Sequence, residues 1–301
     1  MQMLGPDVSY FMAAATAGSL GRAAEQLGMT QPALTKAIQR LEARLGVGLF
    51  HRTPRGLELT DAGQGFLKRC QVASGMMEDA VQEARDIGGG HAGLLRLGMS
   101  PASAHFVLKA LFPQLRQERP AAVLQLHTAF GDTLLDGLLR RELHMAVCPL
   151  PGDLPPELEA EPLYNDAFSL VCHHSHPLAA QSGPLDLAAV LQYDFAASGK
   201  HEFARQMIEG VLAHAGMPLP RVVVEANTLE ALVIIVATGG LVTVLPRRAL
   251  PPESIPASLV WRPVELPGVQ RQIGVIRPRH TPSPMAQRAT ELLRQAASLD
   301  H

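Results

Sequence analysis

The chain has 301 residues, of which 47% are hydrophobic, and its formal net charge is −2 at neutral pH. This length and composition predict about two domains with sizeable cores, and the charge excludes a uniformly basic nucleic-acid coat. No apolar stretch is long enough to span a membrane, and the N-terminus lacks the residue order of a signal peptide. We therefore expect a cytoplasmic protein with no membrane partner.

The charges are unevenly distributed along the chain. Residues 1–69 carry eight Lys and Arg against five Asp and Glu, which gives +3, and subtraction from −2 leaves −5 for the remainder. A modestly basic head on an acidic body suits a localised contact with DNA.

Residues 19–49 predict two short helices joined by a tight turn. Ser19 and Thr30 are good N-cap residues, Gly28 can end the first helix in a left-handed conformation, and Pro32 suits the first turn of the second. An opening helix precedes them and is ended by Gly18; its core face is formed by Val8, Phe11, Met12 and Ala15. This arrangement is that of a compact helical head.

The second helix of the pair has one apolar and one polar face. Its apolar stripe recurs every three or four residues and consists of Leu34, Ile38, Leu41 and Leu45. The opposite face carries Pro32 and the hydrogen-bonding residues Thr35, Lys36 and Gln39, with Gln31 at its leading end. Hydroxyl, amide and cationic groups at a helix N-terminus can read base edges or bind phosphate, so these five residues are the candidate contacts to double-stranded DNA.

The stretch FHRTPRGLELT predicts a basic hairpin beside that helix. Arg52 and Arg55 flank Pro54, and two leucines then alternate with Glu58. A wing of this kind can contact phosphate or the minor groove, which makes Arg52 and Arg55 further candidate DNA contacts. Alternatively, Arg52 fixes the wing structurally.

A long helix follows the hairpin. Thr60 is its predicted N-cap, and apolar residues recur at alternating spacings of four and three from Phe66 through Cys70, Ala73, Met77, Ala80 and Ala84 to Ile87. About 28 residues at about 1.5 Å each give a rod of roughly 40 Å. The heptad pattern predicts dimerisation, the alternative being a helix packed on its own chain, and the glycines at 88–90 are expected to end the rod as a hinge.

Strand and helix patterns alternate from residue 94 onward, as in a doubly wound parallel sheet. Predicted strands cover 94–99, 122–129, 144–150, 164–174, 194–198, 221–227, 241–246 and 272–278. Predicted helices cover 103–119, 133–143, 186–192, 202–216, 228–239 and 285–299.

These motifs resemble the LysR-type transcriptional regulators. The resemblance is carried by residues 11–27, by TQPALTKAI at 30–38, by LGV-x-LF-x-R at 45–52 and by LTDAG at 59–63. Thr35 and Lys36 stand where the family usually has Ser and often has Arg. Weaker marks in the second half are the His176-Pro177-Leu178 triplet and the two glycines before Leu245-Pro246.

The resemblance implies a specific domain organisation. It implies α/β architecture with an N-terminal all-α winged helix-turn-helix (1–60), a long linker helix (61–90) and a two-lobed, periplasmic-binding-protein-like effector domain (91–301). Lobe I would cover about 91–161 and 268–301, and lobe II about 162–267. It also implies homodimers through antiparallel linker helices, often assembled into tetramers, with RNA polymerase as a further candidate partner.

The effector would bind beyond the carboxyl ends of the strands, where helix N-termini point. Small donors stand at three such junctions, namely Ser100, Ser198 and Thr228, and we expect Thr128, Phe130, His201 and Phe203 to line the same cleft. Convergent donors favour an anion, which predicts a small carboxylate effector. Taken singly, each residue could instead be a simple helix cap.

A metal centre, a cofactor and an enzyme active site are not predicted. The sequence CHH-x-H at 172–176 lies on a predicted strand, where neighbouring side chains point to opposite faces. The three cysteines, Cys70, Cys148 and Cys172, form no C-x-x-C pair, so we expect buried, reduced thiols. There is no nucleophile elbow, P-loop or dinucleotide-binding glycine motif.

The sequence therefore predicts a DNA-binding transcriptional regulator controlled by a small effector bound between two lobes. Ligand binding would shift the population of lobe and subunit arrangements, and the linker would pass this change to the DNA-reading heads. Two other classes compete with this interpretation: a pure small-molecule binding protein with a vestigial head, and a constitutive nucleoid-type DNA binder.

Overall fold

A computed structural model describes residues 5–53, 56–89, 93–181, 183, 185, 187–200, 202–250, 254–264, 271–279 and 283–299. Within these ranges, the side chains of residues 52, 53, 79, 82, 83, 85–89 and 203 are not described. The chain forms two compact units, Met1–Val81 and Gln82–His301, which we describe separately.

The first unit contains the predicted helices and wing. Its elements are α1 (Gly5–Ala17), α2 (Leu20–Gln26), α3 (Gln31–Leu45), β1 (Phe50–Thr53), β2 (Gly56–Leu59) and the first part of α4 (Asp61–Gly89). β1 and β2 pair antiparallel, with Phe50 opposite Leu59. The core of the unit includes the fully buried side chains of Phe11, Leu34, Leu41 and Leu49. The prediction of three helices followed by a hairpin is confirmed.

In the first unit, the predicted side-chain capping hydrogen bond forms at Thr30 but not at Ser19. The Thr30 hydroxyl accepts a hydrogen bond from the Ala33 amide at 3.4 Å. Ser19 occupies the N-cap position of α2, yet its side chain forms no capping hydrogen bond, so that part of the prediction is wrong. Helix α2 begins there because the backbone carbonyl of Ser19 accepts from the Ala23 amide.

Helix α4 begins as predicted and ends within the run of glycines at 88–90. Thr60 accepts from the Gly63 amide at 2.9 Å, and any side chain at Gly63 would collide with the carbonyl oxygen of Leu49. Gly88 and Gly89 are the last residues of the helix, and they belong to the run of glycines that is expected to end the rod. Glycine weakens a helix by about 1 kcal/mol without preventing it, which a last turn can tolerate.

The second unit contains ten further strands and most of the remaining helices among the described residues. In chain order these are β3 (Leu94–Met99), α5 (Ala104–Glu118), β4 (Val123–Thr128), α6 (Gly131–Leu139), β5 (Met145–Pro149), β6 (Leu158–Asp166), β7 (Phe168–His173), α7 (Leu187–Val190), β8 (Asp194–Ala197), α8 (Phe203–His214), β9 (Arg221–Glu225), α9 (Leu229–Ala237), β10 (Val242–Pro246), β11 (Leu259–Val264), β12 (Arg271–Pro278) and α10 (Pro284–Leu299).

Two five-stranded sheets organise this unit. We call the first sheet, of order β4-β3-β5-β12-β6, with its helices lobe I, and the second, of order β11-β7-β10-β8-β9, with its helices lobe II. In each sheet three neighbouring strands run parallel, whereas β12 and β6, and β7 and β11, join antiparallel. The two-lobed α/β architecture is confirmed, with mixed rather than purely parallel sheets.

The chain crosses from lobe I to lobe II at Ala167. The sequence predicts one strand over 164–174, but β6 pairs with β12 in lobe I through Asp166, and β7 begins lobe II at Phe168. Lobe I therefore extends beyond residue 161, because pairing with a strand distant in sequence decides where each segment belongs. The return crossing lies between β11, which was not predicted, and β12.

Helix α6 is shorter than predicted over 133–143. It ends at Leu139, and Arg141 adopts a left-handed conformation with φ of 61°. This turn buries Leu143 against Gly98 and Gly137, where any larger residue would collide with the leucine side chain. The apolar periodicity therefore continues past the end of the helix because Leu143 packs from a turn.

Candidate functional site

The predicted polar residues share one face of α3. Gln31, Pro32, Lys36 and Gln39 are exposed and Thr35 is half-buried, whereas the buried face holds Leu34, Ala37, Ile38 and Leu41. The Thr35 hydroxyl donates to the Gln31 carbonyl at 2.9 Å, which leaves its oxygen lone pairs as acceptors. The face thus presents an amide, an ammonium and a hydroxyl acceptor to one side.

An ion pair fixes α3 on α1. The Arg40 Nε donates to Asp7 Oδ2 at 2.8 Å and its Nη2 donates to Asp7 Oδ1. The hydrogen bonds from Arg40 hold the pKa of the Asp7 carboxyl below its ordinary value, although burial of this carboxyl opposes the shift. Arg40 therefore has a structural role beside the exposed face.

The wing residues are only partly described. Arg52 lies on β1 opposite Leu57, and its side chain lies outside the described residues. Arg55 also lies outside them; in the sequence it stands between Thr53 and Gly56, which pair with each other. The basic hairpin predicted from the sequence thus has the expected backbone pairing.

A cavity of about 110 Å³ lies between the two lobes. Both lobes line it, and the lining includes four of the predicted effector residues, which are Ser100, Phe130, Ser198 and Thr228. Thr128 is exposed at the end of β4 and does not belong to the lining. His201 and the side chain of Phe203 lie outside the described residues.

Two hydroxyl groups of the cavity, those of Ser100 and Thr228, already have local partners. Thr228 caps α9 by accepting from the Ala231 amide at 3.2 Å, so its hydroxyl proton remains available. The Ser100 and Ser103 hydroxyl oxygens lie 2.7 Å apart. The Ser198 carbonyl accepts from Arg205 Nη1 at 2.7 Å. Capping and ligand contact are therefore compatible at Thr228.

Arg271 is a lining residue that sequence reasoning missed. Its side chain is 3% exposed, and within the described part of the chain its guanidinium donates a hydrogen bond only through Nη1, to Asp166. The buried Nε has no acceptor among those residues. Burial lowers the pKa of Arg271, but an arginine keeps its charge in a protein. Arg271 belongs to no sequence motif, and its position at the start of a strand does not distinguish it from other basic residues.

Glu202 is the second missed residue. It stands at the N-cap position of α8, lines the cavity and is half-buried. No hydrogen bond or ion pair to its carboxyl group is formed by the described residues, and burial raises its pKa to about 7. Asp132, exposed in the first turn of α6, lines the same cavity.

The histidines at 173–176 have structural partners. The rings of His173 and His174 stack with centroids 4.3 Å apart, and His176 Nδ1 accepts from the Leu178 amide. Over the ranges that the structure describes, no group of three or more His, Cys, Asp or Glu could hold a metal ion. Cys70, Cys148 and Cys172 are buried, as predicted.

The fold and these surfaces define a class of protein: a helix-turn-helix head joined to a two-lobed ligand-binding domain. The sequence profile described as "Bacterial regulatory helix-turn-helix protein, lysR family" matches residues 7–64, and that of the "LysR substrate binding domain" matches residues 88–298. The chain belongs to the LysR family of DNA-binding, effector-responsive transcriptional regulators, and it is not an enzyme. No helix in the described part of the chain is long and apolar enough to cross a membrane.

Several known proteins are similar over much of the chain. A probable hydrogen peroxide-inducible genes activator of Streptomyces viridosporus is 31% identical over 77% of this chain and 74% of that protein. The HTH-type transcriptional regulator BudR of Raoultella terrigena is 34% identical over 58% of this chain, and the chain spans 60% of its length. The crystal structure of full-length CbnR complexed with its target DNA has a TM-score of 0.66 at 24% identity, covering 96% and 98% of the two chains.

Proposed function

We propose that the effector of this regulator is a small carboxylate that binds in the cavity between the lobes. The observation that carries this proposal is Arg271, a buried cation in the cavity wall whose Nε has no acceptor among the described residues. The Nε and Nη2 atoms form one edge of a guanidinium and can hold a carboxylate with two parallel hydrogen bonds. The starts of α6 and α9 and the hydroxyl of Thr228 add partial positive charge at the same cavity.

Binding at Arg271 would also act on the crossing between the lobes. The arginine begins β12, just after the chain returns to lobe I, and its partner Asp166 ends β6, just before the chain leaves it. Because Nε is buried in this conformation, a carboxylate can reach it only if the surrounding groups move. Ligand binding would therefore select one arrangement of the lobes, which is the population shift that regulation requires.

We further propose that Gln31, Pro32, Thr35, Lys36 and Gln39 contact DNA bases or groove, and that Arg52 and Arg55 contact phosphate or minor groove. The exposure of the α3 residues supports the first group, and the paired hairpin supports the second. A regulator that acts on chromosomal DNA would work in the cytoplasm and could meet RNA polymerase at the promoter, which we propose as its location and further partner.

The homo-oligomer is proposed through the linker helix. Along the α4 seam, Ala73, Met77, Ala80 and Ala84 are exposed in the single chain. An apolar stripe along an exposed helix is stable when a second helix covers it. A second copy of α4 would do so, giving the two-fold symmetry that suits reading of two half-sites.

The name of the Streptomyces relative refers to hydrogen peroxide, but the cysteines of this chain do not favour peroxide sensing. Oxidation requires an exposed thiolate of low pKa. Here burial raises the pKa of all three thiols, that of Cys148 to about 12, and each cysteine is buried. Their chemistry is therefore that of core residues.

Isothermal titration of the full chain with a panel of small carboxylates tests the effector proposal. We expect saturable binding that R271Q and the charge-neutral double variant D166N/R271Q both weaken by more than about tenfold. R277Q is the matched control, because Arg277 lies on the same strand but pairs with Glu159 outside the cavity lining. Binding only of compounds that lack a carboxylate group, or equal affinity in all variants, would refute the proposal.

A further inference from the structure

The cavity carries more negative than positive charge. Arg271 is its one cation among the described lining residues, and the ion pair with Asp166 already neutralises it. Two carboxyl groups remain, Asp132 from lobe I and Glu202 from lobe II. A ligand whose only charged group is a carboxylate is attracted by Arg271 and by the helix N-termini. The carboxylates of Asp132 and Glu202 repel the same ligand.

Among the described residues, no cation forms an ion pair with Glu202. The buried Arg205, which lies on α8, is committed to Glu209 at 2.7 Å, Glu225 at 2.8 Å and the Ser198 carbonyl. Glu225 approaches from β9 and adds further negative charge near Gly199. Arg205 is thus saturated by two acids, and the charged side chains that line the cavity together with Glu202 are Asp132 and Arg271.

The carboxyl group of Glu202 has no hydrogen-bond donor among the described residues, so a ligand could supply one. Burial raises the pKa of this carboxyl to about 7, so near neutral pH the group is poised between its two forms. A cation beside it would favour the ionised form and release a proton. A carboxylate beside it would favour the protonated form and take one up.

We propose that the cavity recognises a small zwitterion, an aminocarboxylate whose acid group meets Arg271 and whose ammonium group meets Glu202 and Asp132. This inference rests on the proposed carboxylate site and names the class of ligand that fits it. A hydroxyl group would satisfy one hydrogen bond at Glu202 but would leave the negative charge of the cavity uncompensated. An ammonium group does both, since it brings three donors and a positive charge.

Matched pairs of ligands test the inference. The standard amino acids, β-alanine and 4-aminobutanoate are titrated into the full chain by calorimetry, and each ligand that binds is compared with the same carbon skeleton lacking its amino group. We expect the amino compound to bind at least about tenfold more tightly. We also expect proton release on binding, measured at pH 7 as the dependence of the heat on the ionisation enthalpy of the buffer.

The variant E202Q tests the role of the carboxylate. It should remove most of the preference for the amino compound while leaving the affinity of the deaminated analogue unchanged or raised. E209Q is the matched control, because Glu209 lies on the same helix, pairs with Arg205 and does not line the cavity. Its ligand preference should equal that of the wild type.

The possible outcomes distinguish a failure of the zwitterion inference from a failure of the proposed carboxylate site. Deaminated carboxylates that bind as tightly as the amino compounds, with no effect of E202Q, would overturn the zwitterion and leave the carboxylate site intact. Amines without an acid group that bind equally well would overturn the role of Arg271 and with it both proposals. Failure of every amino compound to bind would also overturn the zwitterion.

Discussion

Asp166 and Arg271 are register partners on neighbouring strands and form an ion pair whose side chains are only 2% and 3% exposed. The pair lies at the point where the chain leaves lobe I and returns to it, and Arg271 also forms part of the cavity wall. Asp166 additionally accepts from the Ala167 amide at 3.0 Å. One buried contact thus joins the interlobe crossing to the wall of the cavity.

The first prediction concerns the stability of this pair. R271Q leaves the Asp166 carboxylate buried without its partner, which should lower the free energy of unfolding by about 3–5 kcal/mol. D166N/R271Q should recover most of the loss, because it removes both charges. Urea unfolding followed by the fluorescence of Trp261, the only tryptophan, reports on this unit.

The control for that experiment is R277Q. Arg277 and Glu159 form a partly exposed pair on the same two strands, so its loss should cost less than about 1 kcal/mol. Equal destabilisation by R271Q and R277Q would show that the buried pair has no special role.

The second prediction concerns DNA binding. T35A/K36A should abolish specific operator binding while the protein stays folded, because both side chains belong to the exposed face of α3. K36A alone should weaken binding at all sequences and lower the salt slope by about 1 if the ammonium contacts phosphate. Fluorescence anisotropy across a salt titration measures both effects.

K109A is the charge-matched control for that prediction, since Lys109 is an exposed cation on α5 of the second unit. It should leave operator affinity unchanged. Wild-type affinity in T35A/K36A would remove both residues from the DNA contact.

The third prediction uses two neighbouring methionines on α4. Met77 lies on the apolar seam and is 49% exposed, whereas Met76 lies off the seam and is 44% exposed. M77E should place charge between paired helices and dissociate the oligomer, while M76E should not. Sedimentation velocity at matched concentrations distinguishes them, and equal behaviour of the two variants would argue against pairing through this seam.

The fourth prediction concerns acid sensitivity of the first unit. The pKa of Asp7 is lower in the folded protein than in the unfolded chain, so its stabilising effect is present above about pH 4 and is lost as the pH falls through the lowered pKa. D7N should therefore speed amide hydrogen exchange in α1 and α3 at neutral pH.

Comparison of D7N with wild type at each pH cancels the intrinsic pH dependence of exchange, and the difference should vanish in acid. E25Q, an exposed change on α2, should match the wild type throughout. A difference between D7N and wild type that persists unchanged in strong acid would contradict the assigned role of Asp7.

The helical head was predictable because its signals are local. The caps, glycines and apolar stripe of α3 act within a few residues of one another, so the faces of the helix follow from the sequence alone. The lobes were predictable as alternating strands and helices for the same reason.

Strand partners and cavity neighbours were not predictable in this way. The segment 164–174 contains no glycine or proline that would mark a break, and its division between two sheets depends on pairing with β12 and β10, far away in the sequence. Arg271 and Glu202 meet at one cavity only after both lobes have formed. Thr128 ends β4 and is exposed outside the cavity lining, whereas Phe130, two residues further on, belongs to that lining.

Footprinting of the full chain on the DNA upstream of its own gene, read across a salt titration, tests the central claim most directly. A sequence-specific regulator should protect a discrete patch that contains an imperfect palindrome, and T35A/K36A should lose that patch. Uniform protection that disappears steeply with salt would mean binding to the phosphate backbone without sequence readout and would contradict the account.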